Sequence, residues 1–244
     1  MWKTIKCAIQ GRSHKKNDTP CQDYVEGISS ECVTCIALAD GAGSASHSEE
    51  GAKVAVKTIV NYLNKNIKYL IDIEKVVVLR LIKYKIITEL KKAIKEIGCD
   101  FEDISSTLLF IAIYNDKFLY GHIGDGVIGC LRYDEERLHI VSEAERGEFA
   151  NTTYFTTSDN WCKHFRINKG SCNNIKAFFL MSDGSADCLY NNKTKQFAPA
   201  INKFSKWLDN NDTETVNQAL IENMTNKFVQ NTNDDCSFIM IQRQ

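Results

Sequence analysis

Three apolar stretches of the chain run directly into an Asp-Gly pair: Cys35 to Gly41, Leu119 to Gly126 and Phe178 to Gly184. A fourth segment reverses the order, with Asp234-Asp235 opening the apolar run Cys236 to Ile241. Short apolar runs bounded by turn residues read as buried strands, so acidic side chains are expected at strand ends in four places. If those strands share a sheet edge, the carboxylates meet there, and their repulsion must be relieved by protonation or by bound cations. Magnesium and manganese are hard ions that prefer oxygen donors, whereas zinc would favour His or Cys. The chemistry these residues suggest is that of a metalloenzyme.

Each pair also has a local explanation, because Asp-Gly is a strong hairpin signal. For Asp125-Gly126, with predicted strands on both sides, the hairpin turn and the metal ligand both stand open. Asp40-Gly41 differs, since Ala42-Gly43-Ser44-Ala45-Ser46 and a helix follow it, and Asp183-Gly184 likewise enters a short helical segment. Neither needs a hairpin, which favours a metal role. The Gly41 to Ser44 loop lacks the lysine of a P-loop and the third glycine of a dinucleotide fingerprint. His14, His47, His122, His139 and His164 show no paired ligand spacing, so none is assigned as a ligand. Cys32 and Cys35 have CxxC spacing but no matching second pair, and they read as small strand residues.

The elements that must position these carboxylates follow from periodicity. Thr4 to Gln10, Gln22 to Gly27 and Val33 to Ala39 read as strands, with a polar loop from Gly11 to Pro20. Ser46-His47-Ser48-Glu49 fits a capping box, and Ala52, Val56, Ile59, Val60 and Leu63 continue at helical spacing, predicting a helix over Ser48 to Asn64. A second helix is expected from Glu74 to Ile97, closed by Gly98, with lysines in its last turns. Thr107 to Tyr114, Phe118 to Ile123, Val127 to Tyr133 and Arg137 to Val141, joined by short turns, predict an antiparallel meander. Glu143 to Asp159 reads as a surface loop. Strands are expected again at Cys162 to Ile167 and Lys176 to Met181, helices at Ser185 to Tyr190, Ala198 to Leu208 and Thr213 to Val229, and a last strand at Cys236 to Gln242. Strands and helices are segregated, which argues for an α+β class with helices outside antiparallel sheets.

Composition bounds the alternatives. A chain of 244 residues without a linker-like stretch is read as a single domain over 1–244. The formal net charge of −1 gives no electrostatic footprint for nucleic acid or an anionic membrane, which disfavours a nuclease or phosphodiesterase. Ten cysteines are scattered behind a start with no signal-peptide apolar region, so reduced thiols and a cytoplasmic location are expected. No apolar stretch approaches the ~20 residues of a membrane-spanning helix.

Taken in order, Gln22-Asp23, Asp40-Gly41-Ala42-Gly43, Ser106-Thr107, Gly124-Asp125-Gly126, Ser182-Asp183-Gly184 and Asp234-Asp235-Cys236-Ser237 resemble the ordered motifs of PP2C-type, metal-dependent protein serine/threonine phosphatases. The resemblance covers almost the whole chain, and Glu148 to Thr153 is similar to a segment of a bacterial branch of that family. It implies an αββα sandwich with two Mn2+ or Mg2+ ions at one end. By that resemblance Asp40 bridges both ions, Gly41 contributes its backbone carbonyl, Asp183 and Asp234 hold the first ion and Asp23 helps hold the second. Asp125 and Asp187 are similar to carboxylates that bind a third ion in some bacterial members. Asp40 and Asp183 would be catalytic through the water they help activate, and which of Asp234 and Asp235 is the ligand stays open.

The departures are equally specific. The arginine that family members carry before the first acidic motif is missing from Lys16-Asn17-Asp18-Thr19-Pro20-Cys21, leaving Arg12, Lys15 or Lys16 to hold substrate phosphate. Ala42 stands where many eukaryotic members have a histidine after the Asp-Gly. The implied function is hydrolysis of phosphoserine and phosphothreonine in phosphorylated proteins by a monomer. The alternative is a pseudophosphatase that keeps the fold for binding.

Overall fold

The computed structural model describes residues 1–134, 137–144 and 153–244. In chain order the elements are β1 (Trp2–Ile9), α1 (Arg12–Lys16), β2 (Tyr24–Ser29), β3 (Val33–Ala39), α2 (Ser48–Leu70), α3 (Lys75–Ile97), β4 (Leu108–Tyr114), β5 (Lys117–Ile123), β6 (Val127–Arg132) and β7 (Leu138–Ser142). They continue with α4 (Trp161–His164), β8 (Arg166–Ser171), β9 (Ile175–Met181), α5 (Asp183–Leu189), β10 (Tyr190–Asn191), β11 (Gln196–Phe197), α6 (Pro199–Asn210), α7 (Thr213–Asn223), α8 (Val229–Asn231) and β12 (Cys236–Arg243).

A strand that is apolar at every position from Leu108 to Ile113 must be covered on both faces. In β4 the period of two divides the coverage. Leu109, Ile111 and Ile113 join Ile36, Leu38, Phe178, Leu180, Ile239 and Ile241 in the core between two sheets. Leu108, Phe110 and Ala112 turn the other way, against the helix pair α2 and α3. The five-stranded sheets have the orders β1-β12-β9-β6-β7 and β2-β3-β4-β5-β8, and their pairings are antiparallel. A third core packs Phe179, Phe238 and Met240 against Ile201, Phe204 and Leu220 of α6 and α7. The layering is helix, sheet, sheet, helix: the α+β, αββα sandwich.

Several local expectations are corrected. The meander does not form, because β4 and β5 belong to one sheet and β6 and β7 to the other. Gly124-Asp125-Gly126 is therefore not a hairpin turn. It carries the chain across the sandwich, with Gly124 at φ +114. The polar segment after Gly11 contains α1, which has no buried residues and so no apolar period to read. Tertiary contacts hold it instead, including the Ser13 amide donating to Asn233 O at 3.0 Å. At the start of α2 the capping box is absent: the helix begins at Ser48, so the N-cap is His47 and not Ser46, and no side chain caps it. That helix runs on to Leu70, since Ile67 and Leu70 extend its buried stripe.

Cys162 to His164 is helical rather than extended, because Trp161, 1% exposed, plugs into the core beside Phe165. The expected helix from Thr213 to Val229 is interrupted by a π turn over Met224–Phe228. By contrast α3 ends where expected, with Gly98 in the left-handed region at φ +82. All ten cysteines are free, and no helix among the described residues is long and apolar enough to cross a membrane. The expected turn at Asp134-Glu135-Glu136 lies partly outside the described residues. So do residues 145–152 of the Glu143 to Asp159 loop, and with them all of the Glu148 segment except Thr153.

Candidate metal centre

Antiparallel pairing sends alternate strands to the same edge. Tyr24 pairs with Ala39 and Leu108 with Ile123, so the start of β2, the end of β3, the start of β4 and the end of β5 lie together. In the opposite sheet Met181 pairs with both Phe238 and Val127, which aligns the end of β9 with the starts of β12 and β6. Asp23, Asp40, Asp125, Asp183 and Asp234 each flank one of these ends. Asp40, Asp125 and Asp183 each place one carboxylate oxygen within 4.8 Å of the others. The remaining two sit close enough for their charges to act on this group.

Backbone contacts hold the cluster. The Asp40 amide donates to Thr107 Oγ1 at 2.8 Å and the Thr107 amide donates to Asp40 O at 2.8 Å. The Gly41 amide donates to Gln22 O at 3.1 Å, tying the two acidic motifs together. Asp183 Oδ1 accepts from the Gly184 amide at 2.6 Å, and Thr153 Oγ1 donates to Asp125 Oδ2 at 2.6 Å. The Asp234-Asp235 turn is squeezed between two glycines. A Cβ on Gly184 would stand 2.2 Å from Asp235 O, and one on Gly11 would stand 2.4 Å from the Asp234 carbonyl.

That turn separates the two neighbouring aspartates. Asp235 is 1% exposed, and its oxygens accept from the Gly11 and Gln22 amides at 2.6 Å each, with His14 Nδ1 2.9 Å from Oδ2. Asp234 is exposed, and its Oδ1 accepts from the Asp235 amide. Asp187 lies at the surface of α5 within reach of Asp234's charge. Arg12 donates through Nε to Thr232 O and through Nη2 to Asn233 Oδ1, both at 3.2 Å, and Lys16 is exposed at the end of α1. Sequence alone gives Thr107 a place in a motif but no role of its own, leaves Asp235 as one of two candidate ligands and assigns His14 nothing. No periodicity marks a residue whose partner is some 67 or 221 positions away, and only the folded contact identifies it.

The electrostatics are those of crowded carboxylates. Burial, then the charges of Asp235 and Asp183, push the Asp23 carboxyl up to about 8. Asp40 is pushed well above the usual carboxylate range by burial and by Asp23, Asp183 and Asp234. Asp183 is raised to about 6 by burial, then by Asp125 and Asp234. Burial and Asp234 also raise Asp187. Among the described residues both oxygens of Asp23 and Gln22 Oε1 are buried without a hydrogen-bond partner. Buried oxygens left without donors, in a cluster that repels itself, fit hard divalent cations.

The family model for protein phosphatase 2C matches residues 10–225. Serine/threonine-protein phosphatase 3 of Escherichia coli (strain K12) is 27% identical over 168 residues, and the match spans 65% of this chain and 64% of that relative's length. A crystal structure of a bacterial serine phosphatase shares the fold with a TM-score of 0.65 at 12% identity, over 100% of this chain and 98% of the other. The serine/threonine phosphatase Stp1 from Staphylococcus aureus aligns with a TM-score of 0.63 at 13% identity, over 100% and 96%. The catalytic domain of PstP, crystallised in complex with 2 manganese ions, aligns with a TM-score of 0.60 at 12% identity, over 99% and 97%.

Proposed function

Because this chain belongs to the protein phosphatase 2C family, we propose that it is a divalent-metal-dependent phosphatase acting on phosphoserine and phosphothreonine in proteins. The observation that carries the reading is the convergence of Asp40, Asp125 and Asp183 within 4.8 Å at one sandwich edge. Asp40, the Gly41 carbonyl, Asp183 and Asp234 would hold Mn2+ or Mg2+, with Asp23 beside the second ion. A pair of such ions supplies an activated water and neutralises phosphoryl charge.

The chain's own residues do the rest. Asp40 and Asp183 would be catalytic through the water that the ions activate, and Thr107 fixes the Asp40 backbone. Asp235 has its oxygens turned to Gly11, Gln22 and His14, which supports Asp234 as the ligand of the pair. Asp125, with Asp187 further out on α5, is the candidate for a third ion. Arg12 and Lys16 on α1 are the candidates for holding substrate phosphate. Ala42 has no titratable group, so this chain offers no histidine after the Asp-Gly to protonate the leaving group. A single domain over 1–244, a monomeric state and a cytoplasmic location complete the reading.

The test is hydrolysis of an aryl phosphate and a phosphopeptide with manganese present. Chelator-sensitive turnover, lost in Asp40→Asn and Asp183→Asn, is expected. Mn2+ binding by calorimetry without any turnover would instead favour the pseudophosphatase.

A further inference from the structure

We propose that His14 is a positioning residue for this centre, acting through Asp235 to set Asp23 and Asp234 in register with each other. The inference rests on the reading above, in which both aspartates help hold divalent cations. Asp235 is a carboxyl group at 1% exposure, and a buried polar group needs partners to replace the water it has lost. Its partners come from separate segments, two of them as amide hydrogen bonds and His14 Nδ1 as a close contact without hydrogen-bond geometry. Oδ1 receives the Gly11 amide from the β1–α1 turn, Oδ2 receives the Gln22 amide just before Asp23, and His14 of α1 stands 2.9 Å from the same Oδ2. One carboxylate thus joins the turn that carries Asp234, the segment that carries Asp23 and a helix otherwise without buried residues.

His14 supplies the side-chain part of this junction, and its own side chain is only 17% exposed. The arrangement follows the logic by which a carboxylate and an imidazole orient one another behind a ligand set. Without His14 one oxygen of Asp235 loses its side-chain partner. The carboxylate then has reason to turn away, and the Gln22 amide moves with it. Metal sites respond to ligand displacements of a few tenths of an ångström, so cation affinity should fall whatever the accompanying loss of fold stability.

The experiment titrates Mn2+ by calorimetry into the wild type, His14→Ala and His14→Asn, with thermal unfolding of each in chelator. His14→Ala is expected to weaken Mn2+ binding by about 10-fold, the low end of the cost of losing a partner of a ligand, because His14 acts one residue further out through Asp235. His14→Asn should stay within a few-fold of wild type, because its amide can donate to Asp235 near where Nδ1 stood. Should His14→Ala fail to fold, His14→Gln takes its place, its donor one methylene further out, and weakened binding is again expected. Equal Mn2+ affinity in wild type and the folded Ala or Gln variant overturns the proposal, even if the melting temperature falls. Wild-type protein that binds no Mn2+ overturns the metal reading beneath it as well, which separates the two failures.

Discussion

Asp40 and Thr107 exchange two hydrogen bonds at 2.8 Å, the Asp40 amide donating to Thr107 Oγ1 and the Thr107 amide donating to Asp40 O. The residue just past β3 is thereby locked to the residue just before β4, and the cluster's central carboxylate inherits the rigidity of a sheet. Thr107→Val keeps the volume and removes the acceptor. Leaving the Asp40 amide unpaired should cost about 1–3 kcal/mol in urea unfolding, with a fall in Mn2+-dependent turnover. Wild-type values for both would show that the side chain does not hold Asp40.

Asp40→Asn and Asp183→Asn should separate stability from activity. Each removes a carboxyl that burial and neighbouring charges hold above its ordinary value, so in chelator each variant is expected to melt at a higher temperature than the wild type. Turnover should be lost in both. A lower melting temperature in chelator would mean that these carboxylates do not strain the metal-free fold.

The pH dependence of the metal-free protein has a definite sign. Asp23 is raised to about 8 and Asp183 to about 6, so between the ordinary carboxylate range near 4 and pH 8 the folded state binds more protons than the unfolded state. Stability in chelator should therefore fall as pH rises through that window. Cations compete with the same protons, so Mn2+ affinity and the stabilisation it brings should rise over the same range. Differential scanning calorimetry from pH 5 to about 8, with and without Mn2+, reads both slopes. A flat chelator profile would contradict the crowding of these groups.

Gly184→Ala tests the packing of the Asp234-Asp235 turn. The added Cβ would lie 2.2 Å from Asp235 O, a backbone atom that cannot swing aside as a flexible side chain would. Destabilisation of about 1–3 kcal/mol is expected, with Mn2+ affinity reduced because the turn itself must move. Unchanged unfolding would show that the contact relaxes freely.

Cys35 to Ala39, Leu108 to Ile113 and Phe178 to Met181 announced themselves as buried strands because they are apolar on both faces, and α3 announced its end through Gly98. Acidic residues at strand ends were equally legible, since they interrupt those runs. These signals are local: a few neighbouring residues carry each one. Three features lay beyond them. Asp125-Gly126 read as a hairpin or a ligand until the partners of β5 and β6 placed those strands in different sheets, and strand partnership is a long-range choice. Asp234 and Asp235 are chemically identical in the chain, and only the Gly11, Gln22 and His14 contacts draw one inward. Helix α1 has no buried face, so its position depends on the turn it packs against rather than on any period of its own. Residue type and spacing therefore specified the strands and the acidic chemistry, while the burial that distinguishes one carboxylate from its neighbour arose from segments brought together only by folding.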